Sequence, residues 1–178
     1  MPEFLPVSIQ LLDHEKKAVR REMCWTLSNI TAGNSNQIER IITFPNLIEK
    51  LLKIATTDTL EVQGLNYTHL SKKVKREAIW VLSNAVKDGT QLQKDFLHKK
   101  GALKCFISSL ELTDTNTLRV ALEGILNFIK GEEISGQEDE NPFKKYFKEN
   151  CEVSIINELQ ENNDENISEL ADDIINML

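Results

Sequence analysis

Apolar positions recur at helical spacing along most of the chain, in short amphipathic segments closed by a breaker and followed by longer ones. Leu5 to Leu12 is the first such segment. Asn36 to Ile42 (NQIERII) predicts a short helix that Pro45 ends, and Leu47 to Ala55 (LIEKLLKIA) predicts the next. Gln91 to His98 and Leu103 to Leu110 repeat that order around Gly101. Pro142 to Lys148, with proline at a tolerated helix start, then precedes Val153 to Leu159. Among these pairs lie the longer stretches REMCWTLSN, REAIWVLSN, RVALEGILNFIK and SELADDIINML. Two segments leave the pattern. Residues 56 to 71 (TTDTLEVQGLNYTHLS) are polar and carry β-branched residues and a glycine, which predicts an inserted loop; 131 to 141 (GEEISGQEDEN) predict an acidic one.

The longer stretches share a polar motif. Glu22, Trp25 and Asn29 recur in the same order as Glu77, Trp80 and Asn84. A helix turns about 100° per residue, so positions i, i+3 and i+7 fall within about 60° of one another, and acid, indole and amide share one stripe. Met23, Leu27 and Ile30, like Ala78, Leu82 and Ala85, project about 80° to 140° away and form the expected buried face. Each indole is therefore expected outside its own core stripe, where a repeated aromatic makes a contact surface. The same frame puts Glu123 and Asn127 in the tryptophan and amide phases of the third stretch, with Val120 in place of the first acid. In the fourth stretch it selects Glu169, Asp172 and Asn176.

Separations of 55, 43 and 49 residues between the successive amides suit a helical repeat of about 40 to 47 residues with two insertions. The expected fold is all-α, a right-handed superhelical armadillo-repeat solenoid of about three and a half to four repeats with three helices each. Its units are residues 1–33 (a partial repeat), 34–88 (with the 56–71 insertion), 89–131, and 132–178 (the acidic loop and last repeat). The chain begins within a unit and stops two residues after Asn176, as expected for part of a longer array.

Stacked repeats would set Trp25 and Trp80 side by side with a slot between them. A lysine or arginine stem fits such a slot, its methylenes against indole and its cation over the ring face. Glu22 and Glu77 then accept charge-assisted hydrogen bonds, while Asn29, Asn84 and Asn127 pair with the N–H and C=O groups of an extended peptide. Blander roles compete. The indoles can pack as spacers between repeats, and the amides can satisfy backbone groups at helix junctions. Arg21 and Arg76, each preceding one of the acids, can neutralise them. A scaffold of armadillo or HEAT type, holding a helix or a folded partner without reading basic peptides, is the alternative function.

Composition narrows the field. A chain of 178 residues with 40% hydrophobic and 28% charged residues can bury a sizeable core. No apolar run approaches the roughly 20 residues that span a bilayer, and MPEFLPVSIQ lacks the basic start and long apolar stretch of a secretion signal, so no membrane role and an intracellular setting are expected. The formal charge of −7 divides into −11 for residues 131 to 178 and +4 for the rest, so bulk charge does not make the tryptophan-bearing half acidic. Cys24, Cys105 and Cys151 are odd in number and far apart, which suggests buried thiols rather than a disulfide framework or zinc site. His14, His69 and His98 are scattered, and no catalytic, metal-ligand or phosphate-loop spacing accompanies them. Neither catalysis, a metal nor a cofactor is expected. Basic residues are not gathered with aromatics on one stripe, so nucleic acid is not expected either.

REMCWTLSNITAGNSNQIERII, KREAIWVLSNAVKDGT and LRVALEGILNFIK closely resemble importin-alpha, the armadillo adaptor of nuclear import, and NPFKKYFKENCEVSIINELQ is similar to that family's last repeat. The resemblance implies the seventh to tenth repeats and the smaller of two cargo grooves, with Glu22, Trp25, Ser28, Asn29, Glu77, Trp80, Ser83, Asn84, Glu123 and Asn127 on the peptide-binding face. It implies Lys/Arg-rich nuclear localisation signals as cargo and shuttling between cytoplasm and nucleus. It also implies a C-terminal surface for the export receptor and nuclear-pore proteins. Importin-beta is not expected as a partner, because the arginine-rich segment that binds it has no counterpart here.

Overall fold

The computed structural model describes residues 3–57, 69–112, 114–130 and 141–178. Among them run eleven helices and no strand: α1 (Phe4–Leu12), α2 (Lys17–Thr31), α3 (Ser35–Ile42), α4 (Leu47–Thr57), α5 (His69–Lys87), α6 (Gln91–Lys100), α7 (Ala102–Ser109), α8 (Thr115–Ile129), α9 (Pro142–Asn150), α10 (Val153–Gln160) and α11 (Glu165–Met177). After α1 and α2 the order short, short, long repeats three times. This is a solenoid of armadillo type.

Local chemistry sets the joints. After α2, Gly33 leads into Asn34, whose side chain accepts from the Gln37 N–H while the Gln37 side chain accepts from the Asn34 N–H. After α5, Gly89 leads into Thr90 and the same reciprocal cap forms with Gln93. Asp114, Asn141 and Asp164 cap α8, α9 and α11, and Pro142 opens α9 where its missing N–H costs nothing. Gly101 sits at φ +102° between α6 and α7, a left-handed turn that glycine enters without Cβ strain.

The long helices stack in a row, α2 on α5, α5 on α8 and α8 on α11. One continuous apolar core runs beneath them, with Leu27, Leu51, Val74, Leu82, Phe106, Phe128, Phe147 and Ile167 all fully enclosed. Polar ties between units reinforce the row. The Gln93 amide of α6 donates to Ser35 O (2.9 Å) and Glu39 Oε2 (2.8 Å) of α3, and Lys130, at the C-cap of α8, pairs with Asp173 of α11 at 3.7 Å. Gly124 lets α8 close onto α7, since a Cβ there would lie 2.5 Å from the Phe106 ring.

Both ends of the expected 56–71 loop are helical. Thr56 and Thr57 continue α4, their hydroxyls donating to the carbonyls of Leu52 and Lys53, so threonine rides on the helix instead of ending it. Residues 69–71 belong to α5. The remainder of that expected loop, 58–68, and residues 131–140 of the acidic one lie outside the described residues. All three cysteines are buried and none is in a disulfide, and burial pushes the Cys105 thiol up to about 12 and the Cys151 thiol to about 11.

Candidate functional site

The buried faces of α2 and α5 place the motif. Met23 and Leu27 are enclosed in α2, as are Ala78, Leu82 and Ala85 in α5; Ile30 is only half-buried. The opposite stripe of α2 is open, with Glu22 and Asn29 exposed and Trp25 54% exposed. In α5 the same stripe is largely enclosed. Trp80 is half-buried and packs against the core, Asn84 is half-buried, and Glu77 is 7% exposed.

Position in the row explains this difference. α2 meets one long helix, whereas α5 is flanked by α2 and α8 and also touches α4, α6 and α7. The sequence already carries the extra contact: where α2 has Thr26, half-buried, α5 has Val81, fully enclosed.

Both acids are taken by their chain neighbours. Arg21 bonds Glu22 through Nε and Nη2, and Arg76 Nη2 donates to Glu77 Oε1 at 2.8 Å. The Glu22 hydrogen bond, then its charge, holds the Arg21 guanidinium above its ordinary pKa, and the charge of Glu77 adds to this across the gap between the helices. A slot of about 300 Å³ opens there, lined by Arg21, Glu22 and Trp25 of α2 and by Lys73, Arg76 and Glu77 of α5. Trp80 does not line it. Lys73, Glu77 and Trp80 follow at i, i+4 and i+7, so the slot sits against the start of that stripe and Trp80 lies further along.

The amides divide in role. Asn29 Nδ2 donates to the Trp25 carbonyl of its own helix at 3.1 Å and stays exposed. Asn84 Nδ2 donates to Ser28 O of the neighbouring long helix at 3.0 Å, so this amide ties a helix junction and keeps its Oδ1 and second N–H. Asn127 is half-buried on α8, its carbonyl accepting from Lys94 Nζ at 3.1 Å, and Glu123 is half-buried one turn before it. Ser28 and Ser83 are 6% and 4% exposed. The Ser28 hydroxyl donates to Trp25 O of its own helix at 2.8 Å. Lys73 is the slot residue that the sequence reading missed, although its i, i+4 spacing to Glu77 puts it on the motif stripe.

Comparisons with known proteins agree with this architecture. The family model of the armadillo/beta-catenin-like repeat matches residues 4–32. Importin subunit alpha-5 of Arabidopsis thaliana is 32% identical over 162 residues, covering 90% of this chain and 29% of that protein. Importin subunit alpha-4 of the same plant is 30% identical over 165 residues, covering 90% and 28%. The chain thus spans less than a third of the length of these curated relatives. Among solved structures, a designed armadillo repeat protein superposes with a TM-score of 0.76 at 22% identity, covering 96% of this chain and 63% of its own. Another, in complex with the peptide (KR)4, gives 0.76 at 22% identity, with 96% and 62% covered.

Proposed function

Because the chain belongs with the importin-alpha armadillo proteins, we propose that it binds Lys/Arg-rich nuclear localisation signals in extended conformation along the row α2, α5 and α8. The observation that carries the reading is Trp25, 54% exposed from a helix that buries its other face, with Asn29 open one turn on. A large aromatic left in water beside an exposed amide does nothing for the fold alone and suits a ligand.

Each group has a task in this reading. The free Oδ1 and N–H of Asn29, Asn84 and Asn127 hold the peptide backbone straight. The faces of Trp25 and Trp80 take basic stems, a cation over an indole gaining about 0.5 to 2 kcal/mol. Glu123, half-buried beside the Asn127 position, supplies a carboxylate to a cation lying between α5 and α8. Glu22 retains exposed surface despite its pairing with Arg21. The designed relative described with a (KR)4 peptide is an instance of this fold holding alternating basic residues. Shuttling between cytoplasm and nucleus, and docking of transport partners on the acidic C-terminal unit, belong to the same proposal.

The test is fluorescence anisotropy with a labelled basic peptide at low salt. Trp25→Ala should weaken binding by about 1 to 3 kcal/mol, as for an aromatic hot spot, and Glu123→Arg should weaken it as well. Affinity that ignores both changes would favour the scaffold reading. That second reading has its own support in the bond from Asn84 to the Ser28 carbonyl and in the burial of Glu77, where motif residues serve the stack.

A further inference from the structure

Each long helix of the row turns one flank to the helix before it and another to the helix after it. The bond from Asn84 of α5 to Ser28 O of α2 identifies both: the Asn84 side of α5 faces backward, and the Ser28 side of α2 faces forward. At about 100° per residue, positions three before and one after the amide lie about 60° and about 100° to the backward side, and the residue just before the amide lies about 100° to the forward side. Backward positions are filled where a long helix precedes. Val81 and Ala85 of α5, and Gly124 and Phe128 of α8, are enclosed. In α2, the first long helix of the described row, the same positions hold Thr26 and Ile30, and both are only half-buried. Asn29, with no carbonyl to reach on that side, turns its Nδ2 back to Trp25 of its own helix.

The far end of the row carries the matching opening. Ser28, Ser83 and Leu126, each just before an amide, are enclosed, whereas Ile175 in the same position of α11 is half-buried. The Ile175 carbonyl accepts from the Leu178 N–H at 3.2 Å, as the Ser28 carbonyl accepts from the Ala32 N–H at 3.0 Å, and a carbonyl oxygen has a second lone pair to offer. Charge decides which ends meet. α11 carries four acids and no basic residue, and α2 carries three basic residues and one acid. Two α11 helices brought together would set acid on acid; α11 against α2 joins unlike charge. Trp25 and Glu77 line one gap in the row, so in that register Asp172 of α11 comes beside Glu22, where the bonded Arg21 offsets the second carboxylate.

We infer that a second copy of this chain fills the backward flank of α2, with α11 of one copy stacked on α2 of the next in the register that α2 keeps with α5. Ile175 then packs on Thr26 and Ile30. The Asn29 amide leaves the Trp25 carbonyl and donates to Ile175 O, as Asn84 does to Ser28 O. The contact joins unlike faces, so each added copy leaves another flank open, and the assembly lengthens as a row instead of closing as a pair. The faces of Trp25 and Trp80 stay available to a peptide, and the motif surface continues from one copy to the next.

Sedimentation velocity of the full chain at low salt, over about 5 to 500 μM and without peptide, reads the assembly apart from the peptide-binding reading. The weight-average mass should climb with concentration past that of two chains. Ile30→Lys and Ile175→Lys each block one flank and should weaken association about tenfold or more. Their mixture is decisive. Ile30→Lys keeps its α11 flank and Ile175→Lys its α2 flank, so together they should form a pair and stop there, which a variant that had lost its fold could not do. If either lysine lowers the melting temperature, Thr26→Arg blocks the α2 flank from a half-buried polar position. Ser168→Arg, which sets an arginine where Arg21 stands across from Glu77, should strengthen association about threefold, a gain that misfolding cannot imitate. A chain that stays monomeric throughout overturns the inference and leaves the flank to a helix of another protein. A mass that levels off at two unaltered chains overturns it too, as does a mixture of the lysine variants that never pairs.

Discussion

One nine-residue pattern occurs twice, and the two copies live in different surroundings. In α2 the acid, indole and amide face water; in α5 the acid is enclosed, the indole rests on the core and the amide ties two helices. The residues are the same and the spacing is the same. What differs is the number of neighbours, since α5 lies between two long helices and α2 is covered on one flank. A stripe read from periodicity therefore gives direction but not depth. In a stacked array the depth of a residue depends on whether the next unit overhangs it.

If that account holds, matched substitutions should part company. The largest difference is expected at the tryptophans. Trp80→Ala removes an aromatic packed on the core and should cost about 2 to 4 kcal/mol in urea unfolding, whereas Trp25→Ala should cost at most about 0.5 kcal/mol. Equal losses would mean that the indoles do equivalent work and the comparison fails. At the acids, Glu77→Gln weakens a largely buried pair with Arg76 and should cost about 1 to 3 kcal/mol by the same measurement. Glu22→Gln, in an exposed pair, should leave the unfolding midpoint where it is. At the amides, Asn84→Ala loses a bond between long helices and should cost about 1 kcal/mol. Asn29→Ala loses only a bond to its own helix and should change stability by less than about 0.5 kcal/mol. Peptide affinity should rank the two amides without regard to that order.

Much of this was legible in the chain. The element order, the breakers at Pro45 and Gly101, and the stripe holding Glu22, Trp25 and Asn29 follow from periodicity and turn chemistry, and α3, α6, α9 and α10 appear within two residues of their expected limits. The glycine-led reciprocal caps Asn34–Gln37 and Thr90–Gln93 were a further signal of repetition, written as G-N-x-x-Q and G-T-x-x-Q. Pairing across units was not legible. Nothing in SNITAGN announces that the Ser28 carbonyl will take the Asn84 amide 56 residues away, or that Lys73 will face Arg21, because these follow from the register between stacked helices. The burial of Ser28 and Ser83 has the same origin: each lies next in sequence to an amide of the motif stripe, and one residue along a helix is about 100° around it.

The smallest effect extends the same rule to a group of different chemistry. His98 of α6 is half-buried where α8 and α9 cover it, its ring edge-on to Tyr146 at 4.7 Å, Phe143 at 5.3 Å and Phe128 at 6.3 Å. Its Nδ1 is enclosed with no hydrogen-bond partner among the described residues. Burial lowers the imidazole pKa below its ordinary 6.5, with Lys99 in the same direction and Asp95 opposing. A depressed folded value means that the unfolded chain takes up the proton first as the medium is acidified. The stability conferred by neutral His98 is thus complete above its unfolded value of 6.5 and is lost as pH falls through that value toward the folded one. Melting temperature should fall between pH 7.5 and 5.5, and His98→Phe, which keeps an aromatic ring in the cluster, should flatten that part of the profile. A slope that survives the substitution would put the sensitivity elsewhere. Loss of the slope would show that depth in the stack penalises an imidazolium on α6, where the rings of Tyr146, Phe143 and Phe128 pack around it.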